Sequence, residues 1–192
     1  MTTNTGTHTM NNYEEFLMQD DHLQKSYIET RIKYIKKYEG IDTVPVIWHG
    51  EILKDYYMDM SGQIYSTIRY IFGVKMNYCY NRWDSRDYPR SSFRIKGHGK
   101  TIKIHRLVGH TLVPYTKPSC ISAENWMKTP QSVKALIFKD AMELNHIDCD
   151  HGNYHPSNLE WTTRTENREA YHNHPDRKTY GHYNRDFLKE VA

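Results

Sequence analysis

Apolar positions along the chain change period several times, and each change marks an element. From Tyr13 to Glu39, Phe16, Leu23, Tyr27, Ile28, Ile32, Ile35 and Tyr38 recur near the helical period, which predicts one amphipathic helix. Acidic Glu14, Glu15, Asp20 and Asp21 suit the dipole at its start, Lys33, Lys36 and Lys37 suit its end, and Gly40 offers a stop. Such a stripe fits a core or a dimer seam. Residues 44 to 68 switch to short alternating runs, read as two or three strands with Ser61-Gly62 at a turn. Alternation returns in Ser92 to Lys96 and Lys100 to Ile104, which flank Gly97-His98-Gly99 as a three-residue hairpin loop. It sets Phe93, Ile95, Ile102 and Ile104 on one face and Arg94, Lys96 and Lys103 on the other.

The C-terminal third is the most legible. Glu143 to Ile147 reads as a strand, Asp148 to Ser157 as a polar turn, and Leu159 to Thr162 as a returning strand with Leu159 and Trp161 on one face. Thr163-Arg164-Thr165-Glu166 matches a capping box, so a helix opens at Thr163. This strand, loop, strand, helix order brings Asn145, His146, Asn158 and Asn167 towards one point. Asp148 to Asn153 resembles the start of a calcium-binding loop, but that loop needs Gly at its sixth position and Glu at its twelfth, where this chain has Asn153 and Leu159. Asp148 and Asp150 are read instead as caps on the amides of the turn.

Those residue types suit one chemistry. Hydrolysis of a phosphodiester near neutral pH needs a base to take a proton from water, and His has the intrinsic pKa for it. It also needs positive charge near the leaving and non-bridging oxygens, which a divalent cation on hard oxygen ligands supplies. Asn offers such an oxygen, and a second Asn can bond the far nitrogen of the imidazole to fix its tautomer.

The run His105-Arg106-Leu107-Val108, then Asn145-His146-Ile147-Asp148, then Asn158-Leu159-Glu160-Trp161-Thr162-Thr163 and Glu166-Asn167 resembles the HNH homing endonucleases of bacteriophages, members of the ββα-metal nuclease group. The match covers Ile104 to Tyr171. Val46-Ile47-Trp48, Tyr57 and Ser61 to Ser66 resemble, more weakly, a short module that often precedes this unit. The resemblance implies His146 as general base, Asn158 as its orienting partner, Asn167 as a metal ligand and Asn145 at the position of the other ligand, where some relatives carry Asp. It implies one divalent ion, Mg²⁺ or Mn²⁺, and double-stranded DNA as the partner of a monomer or homodimer. Two amides bring that ion no negative charge.

Charge distribution bears on the partner. Net charge is only +3, but residues 1–74 hold 7 Lys or Arg against 10 Asp or Glu, residues 75–139 hold 13 against 3, and residues 140–192 hold 6 against 10. The basic middle, with Tyr78, Tyr80, Trp83, Tyr88 and Phe93 interleaved, reads as a phosphate-binding surface. Arg82, Arg86, Arg90, Arg94, Lys96, Lys103 and Arg106 are its candidate DNA contacts; a solvated basic face and an edge hairpin guarded by charge are the plainer alternatives.

The expected organisation is an α+β protein: a disordered tail (1–12), an N-terminal helix (13–40), a small β-rich basic module (41–103), an HNH unit (104–175) with an insertion at 115–142, and a C-terminal tail (176–192). Cys79, Cys120 and Cys149 are odd in number with no C-x-x-C pair, so reduced thiols are expected. No apolar run approaches a membrane span and no signal-peptide pattern stands out, which predicts a soluble cytoplasmic protein, in the host cytoplasm if phage-encoded. Three readings follow: a metal-dependent DNA endonuclease with His146 as base, an HNH-fold DNA-binding regulator that no longer cuts, and an HNH nuclease of restriction or DNA packaging rather than homing.

Overall fold

A computed structural model of the chain describes residues 22–78 and 88–173. The expected tails at 1–12 and 176–192, and the start of the first helix, lie outside the described residues. Helix α1, His22–Glu39, buries Ile28 and Ile35, seven residues apart, against Tyr57. Its apolar stripe is narrower than the sequence predicts, because Tyr38 remains 57% exposed and stacks on Tyr34. Gly40 ends the helix at φ +71°, its N–H donating to the Lys36 carbonyl at 3.0 Å.

Four strands follow, β1 (Thr43–Trp48), β2 (Glu51–Asp59), β3 (Ile64–Ser66) and β4 (Val74–Lys75), in one antiparallel sheet of that order. His49 and Gly50 join β1 to β2 with φ of +51° and +80°, the left-handed pair a two-residue turn needs to match strand twist. Pro45 lacks an N–H for the ladder and sits where the β1–β2 register shifts. Along β2, Tyr57 packs under α1 while Tyr56 and Met58 turn to the opposite side, so both faces of the sheet are covered.

A second hairpin pairs β5 (Arg90–Ile95) with β6 (His98–Lys103). The expected three-residue loop is corrected here: Ile95 pairs with His98, leaving Lys96 and Gly97 as a two-residue turn at φ +50° and +84°. The twist match of that turn outweighs the cost of a left-handed Lys96. Phe93 and Ile102 are buried as expected, and Lys96 belongs to the turn instead of the outer face.

From β6 the chain enters α2 (Ile104–Leu112), a nearly buried helix. Thr111 Oγ1 accepts from the Ile47 N–H at 3.0 Å, satisfying a strand amide from a helix side chain. Gly109 allows the closest approach, since a Cβ there would lie 2.6 Å from Leu144 Cδ2 and 3.1 Å from Trp161 Cζ2. Gly109→Ala should therefore cost about 1–3 kcal/mol by overpacking, read as a shift in the urea midpoint.

Residues 115–142 fold into α3 (Ala123–Lys128) and α4 (Gln131–Ala141). Ser122 caps α3, its side chain accepting from the Asn125 N–H at 3.2 Å. Phe138, fully buried on α4, packs its ring on Tyr115 and Trp161 with centroids 4.6 and 5.1 Å apart. The segment is thus a wall of the core. Strands β7 (Glu143–His146) and β8 (Leu159–Thr162) pair antiparallel, and α5 (Arg164–Asn173) follows. Thr163 and Glu166 form the expected reciprocal box: the Thr163 N–H donates to Glu166 Oε2 at 2.7 Å, and the Glu166 N–H to Thr163 Oγ1 at 3.2 Å. One apolar cluster runs from Val44 in β1 through Phe93 and Leu107 to Leu144, Leu159 and Trp161. The protein is α+β, built from helices and small antiparallel sheets. No helix among the described residues is long and apolar enough to cross a membrane.

Candidate functional site

Between β7 and α5 lies a cavity of about 250 Å³. Glu143, Asn145 and His146 line it from β7, His151 and Tyr88 close one side, and Arg164, Asn167, Arg168 and Tyr171 line it from α5. The helical residues are spaced i, i+3, i+4 and i+7, one face of the helix. Three of the four site residues named from sequence, Asn145, His146 and Asn167, therefore share this cavity.

His146 is 4% exposed and sits in an aromatic cluster, its ring 5.1 Å from His105, 5.5 Å from His151 and 5.6 Å from Tyr88. Its Nε2 is enclosed and meets no hydrogen-bond partner, which leaves Nδ1 as the nitrogen it can present to the cavity. Burial, with His151 beside it, lowers its pKa to about 4 against the opposing pull of Asp148 and Asp150. The imidazole is thus neutral at pH 7 and able to accept a proton. His105, also buried, packs on Tyr88 with centroids 4.3 Å apart and is held well below its ordinary pKa by burial and by His146.

Asn158 departs from its expected role. It is buried, but its Nδ2 donates to Asp148 Oδ1 at 2.8 Å and to the Asn153 carbonyl at 2.9 Å, and its Oδ1 accepts from the Asp148 N–H at 3.1 Å. None of these bonds reaches the imidazole. The Asp148 carboxylate and the turn amides are nearer, and a charged acceptor makes the stronger bond. What Asn158 fixes is the loop: its carbonyl accepts from the Ile147 N–H at 2.9 Å, and the Cys149 N–H closes onto the His146 carbonyl at 2.9 Å. Asp148 and Asp150 cap turn amides as expected, accepting from the N–H groups of Asp150 and Gly152, each at 2.8 Å.

The two candidate ligands are each tied through nitrogen. Asn145 Nδ2 donates to Glu160 Oε1 at 2.9 Å, and Asn167 Nδ2 donates to Glu143 Oε2 at 2.7 Å. Glu143 also faces Arg164, Oε1 to Nε 3.3 Å. Both amide oxygens remain for a hard cation, and Glu143 adds a negative charge at the cavity wall. This set suits Mg²⁺ or Mn²⁺ better than a soft metal. Among the described residues no three His, Cys, Asp or Glu gather as a metal cage.

Sequence reasoning missed Glu143, Arg164 and Arg168. Each had a signal: Glu143 lies two residues from Asn145 on the same side of β7, and the two arginines share the helical face of Asn167.

The expected DNA contacts are more scattered. Arg94 is exposed on β5, Lys96 pairs with Glu51 at 2.8 Å, Lys103 Nζ lies 4.0 Å from the Tyr88 ring centroid, and Arg90 and Arg106 are half-buried. Arg82, Arg86, Tyr80, Trp83 and Cys79 fall outside the described residues, while Cys120 and Cys149 are free thiols. Of the described interleaved aromatic residues, Phe93 is buried, the Tyr78 hydroxyl donates to the Gly62 carbonyl at 3.0 Å, and Tyr88 lines the cavity.

Buried His110 shares a 2.7 Å hydrogen bond with the Tyr115 hydroxyl, and burial lowers its pKa to about 3. Its folded pKa lies below the unfolded value, so between pH 6.5 and 3 the unfolded chain binds the extra proton and stability falls as pH falls. By pH 5 this group alone should cost on the order of 2 kcal/mol. Urea unfolding across pH 7 to 5 measures the slope, and His110→Gln should flatten it.

No family model matches the chain, and no curated protein does. Among solved structures it is similar to one titled "DNA binding and cleavage by the HNH homing endonuclease I-HmuI", at 19% identity and TM-score 0.44 over 71% of this chain. The chain spans 60% of that structure's length.

Proposed function

We propose that the chain is a metal-dependent HNH endonuclease that hydrolyses DNA phosphodiester bonds. The observation that supports this best is the buried His146 on a cavity shared with Asn145, Asn167, Arg164 and Arg168. His146 accepts the proton of the attacking water through Nδ1, which fixes the direction of attack because the ring is held by Tyr88, His105 and His151. Asn158 holds the loop that carries the His146 backbone. Arg164 and Arg168 contact the phosphate that enters. A divalent cation, with Asn145 and Asn167 as ligands and phosphate oxygens completing its shell, would stabilise charge on the leaving oxygen. Arg94, Lys103 and Arg106, with Arg82, Arg86, Arg90 and Lys96, bind the DNA backbone, and a homing role follows from the resemblance in sequence.

A second reading, an HNH-fold DNA-binding protein that does not cut, draws on the all-amide pair Asn145 and Asn167, which brings a cation no negative charge. Incubation with supercoiled plasmid and phage genomic DNA, in Mg²⁺, Mn²⁺ or EDTA, separates the two. Nicked or linear product only with metal supports the endonuclease; salt-sensitive binding with no product in any condition supports the binder.

A further inference from the structure

The side-chain amide of Asn has two faces of opposite use to a cation. One end is a carbonyl oxygen that can ligate, the other an NH₂ group that cannot, and a half-turn about χ2 exchanges them. A pair of Asn ligands therefore works only if something selects the rotamer. In this protein each candidate ligand meets a carboxylate, an acceptor with no proton to give when ionised.

Asn145 and Glu160 are direct cross-strand partners in the β7–β8 ladder, and Asn145 Nδ2 donates to Glu160 Oε1 at 2.9 Å. Asn145 is 9% exposed, whereas Glu160 is exposed and does not line the cavity. Glu143 lies two residues back along β7 and accepts from Asn167 Nδ2 at 2.7 Å, while Arg164 at 3.3 Å steadies its other oxygen. Asn167 is anchored in turn by its N–H to the Thr163 carbonyl, 2.9 Å. Neither Asn145 Oδ1 nor Asn167 Oδ1 accepts a hydrogen bond among the described residues. Their wall of the cavity also carries His146, nine-tenths buried, with Nε2 unpartnered.

We infer that Glu160 and Glu143 are positioning residues that lock the amides of Asn145 and Asn167 with nitrogen turned to the carboxylate and oxygen left for a hard divalent cation. The two differ in one respect. Glu143 lines the cavity and adds charge there, but Glu160 stands behind its Asn and acts through the amide. Turning Asn145 over would bring two N–H groups towards the cation and place a carbonyl against a carboxylate, which the pair disfavours twice. The inference rests on the endonuclease reading, since it assigns the amides to a cation.

Glu160 provides the cleaner test because it is exposed and its replacement leaves the core intact. Mn²⁺ is titrated into the 192-residue chain with duplex DNA present, free ion is read by electron paramagnetic resonance, and the DNA-only titration is subtracted. Glu160→Gln loses the charge and keeps an acceptor for Asn145 Nδ2; Glu160→Ala loses both. Groups that hydrogen-bond a metal ligand typically change affinity by about 10- to 100-fold, so Glu160→Ala should weaken Mn²⁺ about 10-fold, and Glu160→Gln should stay within about twofold of wild type. Equal weakening in both variants, or in neither, overturns the inference and leaves the endonuclease reading standing. A wild type that binds no Mn²⁺ beyond the DNA-only level overturns both. A second readout needs no metal: the Asn145 side-chain NH₂ should exchange slowly with solvent in wild type and Glu160→Gln and quickly in Glu160→Ala. Similar exchange in all three also defeats the inference.

Discussion

His146→Ala should lower cleavage by about 10²- to 10⁴-fold, the range a positioned general base contributes, with DNA affinity within about twofold of wild type. The split follows from the geometry. His146 is 4% exposed and its Nε2 is enclosed, so it offers the cavity one nitrogen and adds little surface to a DNA contact. The measurement is single-turnover cleavage beside a binding titration at fixed salt. Equal loss of cleavage and binding would remove His146 from the role of base and make it part of the binding surface. The variant should fold, because it truncates a ring at the cavity edge whose neighbours Tyr88, His105 and His151 also pack on one another, Tyr88 lying 4.3 Å from His105 and 4.4 Å from His151.

Phe138→Ala has the largest expected effect on stability, about 3–5 kcal/mol, the cost of removing a fully buried aromatic ring. Phe138 fills the space between Tyr115, Trp126 and Trp161, and Trp161 also presses on the β7 side of the core near Gly109. Denaturant unfolding followed by Trp fluorescence would give the value. A loss below about 1 kcal/mol would show that the space collapses around the truncated side chain. The same site explains the role of the 115–142 segment, which the sequence left open. Its α4 helix supplies Phe138 and Ala135, and Ala135 Cβ stands 3.4 Å from where a Cβ on Gly50 would sit, so α4 lies against the first hairpin turn.

Elements whose signals are local were readable from the residues alone. The β7–β8 pair followed from alternation at Leu159 and Trp161, and the start of α5 from the reciprocal bonds that Thr and Glu make three residues apart. His146, Asn145 and Asn167 were found because order along the chain and strand–helix geometry together bring them close. What failed depended on competition between neighbours. The hairpin loop hinged on one register step between Ile95 and His98, which sequence does not fix when Gly stands at both 97 and 99. The resemblance pairs Asn158 with the imidazole, yet its amide bonds the Asp148 carboxylate and the turn instead, a competition that the motif alone does not reveal. Glu143 carries no motif of its own; what marks it is the pair of neighbours, Asn167 and Arg164, that the fold brings to its two oxygens. The basic middle third is legible as a composition, but among its described aromatic residues Phe93 belongs to the core and Tyr88 to the cavity wall.

The shared core has a consequence for how this chain can change. Leu107 and Val108, which open the C-terminal segment, are packed in one cluster with Val46, Met58 and Phe93 from before it. Exchange of cassettes at residue 103 would hand each half an uncovered apolar face.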